Sequence, residues 1–90
     1  MDIEWDQRKN LVNQAKHGLC FEDAALVFAG RTIVAEDNRR EYGEPRYNAV
    51  GLLEDVVVFV SVTIRGEALR IISMRPANRK ERKVYASHQE

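Results

Sequence analysis

Seven basic side chains, Arg65, Arg70, Arg75, Arg79, Lys80, Arg82 and Lys83, fall in one stretch that holds only two acidic ones, Glu67 and Glu81. The local balance is +5, whereas the 90-residue chain carries 14 Lys and Arg against 14 Asp and Glu, which leaves −5 for the remainder. A pI near 6.7 argues against nucleic acid as the partner of an evenly charged protein. Clustering changes that judgement. A guanidinium offers a planar fork of donors and keeps its charge, so several arginines on one surface suit phosphate. Taken singly, surface arginines are usually solvated or ion-paired. Together they point to an anionic partner, whether RNA, DNA or an acidic protein segment.

Other chemistries find less support. No Ser-His-Asp or Cys-His nucleophile arrangement is evident, and Cys20 is alone, which rules out an intramolecular disulfide and suits a reducing cytosol. Glu36 and Asp37 are the nearest thing to a carboxylate pair for a metal, but no further ligand stands at a recognisable spacing, so no metal or cofactor is expected. His17, in "NQAKHG", is either a helix-end residue favoured by the negative dipole end or an acid–base group, and Lys16 is equally two-sided. Glu67, at a hairpin, is a candidate base, with Tyr85 a more distant one. Trp5 and Tyr85 otherwise read as packing residues, with stacking on a base as the alternative. The N-terminus is charged from Asp2, and the longest strongly apolar run, Val56 to Val60, is far too short to span a bilayer. A single cytoplasmic domain over residues 1–90 is therefore expected.

The elements that must position these groups are legible in outline. "MDIEW" alternates like a short strand. Asp6 has the chemistry of an N-cap for a helix carrying Leu11, Val12 and Ala15 and ending at Gly18. In "FEDAALVFAG", Phe21, Ala24, Ala25 and Phe28 recur at helical spacing, with Glu22 and Asp23 at the positive end and Gly30 as the stop. "TIVAEDNRREYGEPRY" holds a short strand and then a polar loop in which mobility is expected. Tyr47 to Leu53, Val56 to Ile64 and Ala68 to Met74 read as an antiparallel meander. A last helix starts near Asn78, whose spacing from Glu81 is that of a capping box. The fold class is α+β: an antiparallel sheet of three to four strands with two N-terminal helices and a C-terminal helix, the helices on one face.

Register follows from the pattern, because a slip by one residue would turn every apolar side chain to the wrong face. Two-residue turns at Glu54-Asp55 and Gly66-Glu67 set Leu53 opposite Val56, Ala49 opposite Val60, Val62 opposite Ile71 and Ile64 opposite Leu69. On the other face Arg46 is then opposite Thr63, and Thr63 opposite Arg70, with Asn48 and Ser61 in the next row and Arg65 beside the turn. Arg75 falls on the core-side parity, so it lies either beyond the packed region or after a bulge. Phe59, Ile72 and Met74 are apolar on the open face, which implies a covering partner or second chain.

Three stretches resemble the BrnT family of toxin ribonucleases: "EWDQRKNLVNQAKHGLCFEDAALVF", with its N-x-x-K-H-G and F-E-x-A elements; "REYGEPRY"; and "IRGEALRIISMRPANRKERKVY", with R-I-I-S-x-R, A-N and E-R. The resemblance covers nearly the whole chain in order. It implies a RelE-like fold and a toxin of a type II toxin–antitoxin pair. Such a toxin is a metal-independent ribonuclease that lowers translation, and its antitoxin carries a ribbon-helix-helix DNA-binding segment that meets operator DNA with the toxin bound. Onto this sequence it carries Lys16, His17, Arg46, Arg65, Arg70, Ser73 and Arg75. Pro76 departs from a frequently basic position, and Cys20 from a small hydroxyl residue that caps the second helix.

Catalysis would then rest on Arg65, Arg70, Arg75, His17 and Glu67, and RNA binding on Lys16, Arg46, Ser73, Arg79, Lys80 and Arg82. A homodimer is open. The antitoxin is expected on the arginine face, anchored on Phe59 and Met74. A non-catalytic nucleic-acid-binding module, or a protein-interaction module using the same basic face, is the alternative.

Overall fold

The computed structural model describes residues 2–88. Strand β1 (Asp2–Trp5) leads into α1 (Gln7–His17); a 3-10 turn at Phe21–Asp23 runs into α2 (Ala24–Ala29); then come β2 (Thr32–Glu36), β3 (Arg46–Leu53), β4 (Val56–Arg65), β5 (Ala68–Pro76) and α3 (Arg79–Ser87). The strands form one sheet in the order β1-β5-β4-β3-β2. Its neighbours are antiparallel except β1, which runs parallel to β5. The expected sheet of three to four antiparallel strands is thus corrected to five strands, mixed. A four-residue strand whose partner lies at the other end of the chain gives almost no periodic signal of its pairing.

The buried face of α1 is set by polar rather than apolar residues. Asp6 caps it, accepting from the amides of Arg8 (2.9 Å) and Lys9 (3.2 Å), and the Lys9 bond leads in holding its carboxyl below the usual range. Gly18 ends the helix at φ 71°. Inside, Asn10 is fully buried and Asn13 nearly so, while Leu11 and Val12 face solvent. The apolar positions read from the sequence therefore point outward. Asn10 donates to Glu22 at 2.7 Å and accepts from the Phe21 amide at 2.8 Å, satisfying the first turn of the next helix where Cys20 offers no side-chain cap. Phe21, Ala24 and Val27 then pack into the core. At Gly51 a Cβ would stand 2.8 Å from the Val27 side chain, so α2 lies directly on the backbone of β3.

Both hairpins have the predicted two-residue turns, and the expected pairs are all present, including Ile64 with Leu69 and Thr63 with Arg70. Between Ser61 and Val62 the register of β5 shifts: Ile71 faces Val62, Ser73 faces Ser61, and Ile72 has no partner. That is a β-bulge. Beyond it Met74 turns into the core, where it is fully buried with Val58, Val60 and Val62, and Ser73 and Arg75 turn to the opposite face. Asn13 fixes the bulge, its amide donating to the Met74 carbonyl (2.8 Å) and accepting from the Met74 amide (3.2 Å) where β1 has already ended. Helices occupy both faces rather than one. α1 and α2 cover the Val60 side, and α3 lies against β3 and β4 on the other, held there because its Glu81 binds Arg75.

Candidate functional site

The face opposite the main core carries three rows. Glu4, Arg70, Thr63 and Arg46 cross β1, β5, β4 and β3; next lie Ser73, Ser61 and Asn48; then Arg75, Phe59 and Val50. The bulge is what brings Ser73 and Arg75 onto the same face as Arg70. The middle row is a polar trough, with Ser61 donating to Asn48 at 3.0 Å, flanked by arginines on either side. Arg75 stacks over Phe59, its guanidinium carbon 4.1 Å from the ring centroid, which fixes its plane.

Every arginine on this face already has a carboxylate. Arg70 donates to Glu4 at 2.7 Å, and Arg75 forms a two-pronged pair with Glu81 at 2.8 and 2.9 Å. Glu44 serves both Arg46 (3.2 Å) and Arg65 (3.5 Å). The Arg75 fork, first among the causes, holds the Glu81 carboxyl below its ordinary range, assisted by the Asn78 amide. Glu44 is delivered by the loop between β2 and β3, which is tied down rather than free: Asp37 accepts from the Arg39 fork and from Tyr42, Arg46 lies 4.4 Å over the Tyr42 ring, and the Thr63 hydroxyl donates to the Pro45 carbonyl. Hydrogen bonds from Arg39 above all keep Asp37 strongly acidic. Both of its oxygens are engaged, and among the described residues no third His, Cys, Asp or Glu joins Glu36 and Asp37 in a group that could hold a metal ion.

A family model described as ribonuclease toxin, BrnT, of type II toxin–antitoxin systems matches residues 5–81. The chain belongs to this BrnT family. No curated protein matches it in a sequence search. Membership in the BrnT family implies an RNA substrate and a cognate antitoxin. The matched span takes in β1's last residue, the bulge and the start of α3, and so all four sheet arginines, with Glu4 just outside it.

Within this BrnT fold the other expected site residues scatter. Lys16 and His17 do not reach the arginine row; they line a groove between α1 and the bulged part of β5, together with Arg8, Lys9, Val12, Ile72 and Ser73. Ser73 is therefore the one residue shared by groove and sheet face. Glu67 sits exposed in the β4–β5 turn, beside Arg65 and away from Arg75. Arg79 and Lys80 are exposed on α3, and Arg82 donates to the Ala77 carbonyl at 2.8 Å. Tyr85 offers neither a base nor a stacking surface: it is buried, its hydroxyl donates to the Arg31 carbonyl, and Arg31 covers its ring at 3.9 Å. Met74 is likewise corrected from exposed anchor to core and cannot anchor a partner, whereas Phe59 stays half-buried with Arg75 over its ring. Arg8 and Lys9, and the carboxylates that hold the arginines, escaped the sequence reading. A parity break in "RIISMRP" was the only signal for the bulge.

Proposed function

We propose that this chain is a single-domain cytoplasmic toxin that cleaves RNA internally without a metal ion, lowers translation when free, and is neutralised by an antitoxin bearing a ribbon-helix-helix segment. Operator DNA is reached only through that antitoxin. The observation that supports this reading most is the bulge-dependent convergence of Arg75 and Ser73 with Arg70 and Arg46 on one sheet face.

Metal-independent cleavage needs the RNA's own 2′-hydroxyl as nucleophile. As its oxygen bonds to phosphorus, its proton passes to a base, the bond to the 5′-oxygen breaks and an acid protonates that leaving oxygen. Charge builds on the non-bridging oxygens, and fixed guanidinium donors stabilise it most. Arg70 and Arg75 are assigned that task, with Arg46 and Arg65 positioning the adjoining phosphate. Their carboxylate partners keep the forks oriented and give way to phosphate, whose two non-bridging oxygens also accept from a fork in a two-pronged way. Of the two candidate acid–base groups, His17, which lines the groove that shares Ser73 with the sheet face, is assigned to a phosphate held at the Arg75 end, and Glu67 is the alternative for one held at the Arg65 end. Arg79, Lys80 and Arg82 supply a field on α3 that attracts RNA.

Purified protein incubated with RNA in excess chelator tests the reading. Cleavage is expected. Intact RNA that is nevertheless bound would move the protein to a non-catalytic nucleic-acid-binding module.

A further inference from the structure

We propose that the groove between α1 and the bulged part of β5 receives one unpaired nucleotide of single-stranded RNA. This rests on the ribonuclease reading and extends it from the scissile phosphate to the neighbouring nucleotide. The groove encloses about 330 Å³, and its lining includes no carboxylate. Arg8, Lys9 and Lys16 stand around it and make no ion pair among the described residues, in contrast to Arg46, Arg65, Arg70 and Arg75, each of which has one. Unspent positive charge therefore stands on α1 beside Ser73, the residue that the groove shares with the sheet face.

Charge alone would suit any anion; the apolar centre narrows it. Lys9, Val12 and Lys16 share a helix face by their spacing, with Arg8 one turn before Val12. Val12, 62 % exposed, stands beside Ile72, the unpartnered residue of the bulge, so a strip of hydrocarbon lies between cations. Asn13, at the back, spends its amide on Met74 and Leu19 and is not free to read a ligand. An aromatic base laid on the strip, with its phosphate toward Lys9 or Lys16, uses both features, whereas a base stacked inside a duplex cannot be presented this way. Ser73 links the groove to the trough beside Arg75, and β1 ends at Trp5, so no strand bars the way over the β5 edge. One strand can thus run from the arginine face into the groove.

The test uses the full chain and a short labelled 2′-O-methyl oligonucleotide, which lacks the attacking hydroxyl and so survives. Affinity is measured against salt for the single strand, for the same strand annealed to its complement, and for strands with an abasic position at each site in turn. The single strand should bind at least about tenfold tighter than the duplex, and one abasic position should weaken binding. Lys9→Ala/Lys16→Ala should lower the salt slope by about 0.7, from the one phosphate contact that the pair of lysines supplies. Val12→Asp should weaken binding and abolish the abasic effect. These side chains are exposed, and circular dichroism checks the fold. An unchanged slope, equal duplex binding, or indifference to every abasic position overturns the subsite. The last of these would leave a general anion surface, as an acidic peptide would use. Wild-type cleavage of unmodified RNA is scored separately: binding as expected without cleavage sinks the ribonuclease reading and leaves the subsite standing, and cleavage with an unchanged slope does the reverse.

Discussion

An arginine that already holds a carboxylate differs from a solvated one: its plane is fixed, and an incoming phosphate exchanges one acceptor for another. Arg75 is the most constrained, clamped by Glu81 and stacked on Phe59. Arg70 is held by the one bond it donates to Glu4. Replacing either by Ala should lower the cleavage rate by about 10²-fold or more, as losing a charge-stabilising donor does, with the circular dichroism spectrum preserved. Wild-type rates in both variants would make the cluster a docking surface. Arg75→Lys should recover only part of the loss, because an ammonium keeps the charge but not the fork. Asn13 acts at one remove. Its truncation to Ala leaves the Met74 amide and carbonyl without their partner in a buried place, which should cost about 2–3 kcal/mol in denaturant unfolding and loosen the segment that aims Arg75. Unchanged stability would show that water replaces the clamp.

The same distinction governs what the elements revealed in advance. Hairpin register was readable because Val56, Val58, Val60 and Val62 alternate without interruption and the short turns admit one pairing. Helix ends were readable because caps are local chemistry: Asp6, Gly18 and Asn78 act within a turn of their own positions. Asn78 accepts from the Glu81 amide at 2.8 Å and the Glu81 carboxylate accepts in turn from the Asn78 amide at 2.9 Å, so Asn78→Ala should destabilise the fold by about 1 kcal/mol in thermal or chemical unfolding. No change would show that water caps α3 equally well. What stayed hidden depends on distant partners. The parallel pairing of β1, the burial of Asn10 and Asn13 at the expense of Leu11 and Val12, and the side on which Arg75 emerges are decided by residues far away in sequence. The bulge was one of two readings for Arg75, and the count of alternating positions could not choose between them. The site was accordingly half legible, its arginines named but neither their carboxylate partners nor the α1 groove.

At the scale of the molecule, equal numbers of opposite charges conceal an uneven arrangement, with the sheet arginines internally compensated and the cations of α1 left open. Acid should expose this. Asp6, Asp37 and Glu81 all have carboxyls held below their ordinary range in the fold, by backbone amides for Asp6, by the Arg39 fork for Asp37 and by the Arg75 fork for Glu81. A carboxyl depressed on folding contributes stability that is fully present above its unfolded value and is lost as pH falls through its folded value. Stability should thus change little between about pH 7 and pH 5 and decline below about pH 4, where protonation also strips the arginines of their counter-charges and adds repulsion. Thermal unfolding across that range measures it. Glu81→Gln isolates one contribution, since glutamine still returns a capping bond to Asn78 but cannot be titrated. The variant should be less stable than wild type at neutral pH and converge toward it in acid, as wild type loses the charge that the variant never had. A constant gap between the two curves down to the acid limit would show that the Arg75–Glu81 pair contributes geometry to the arginine face and no pH-dependent stability.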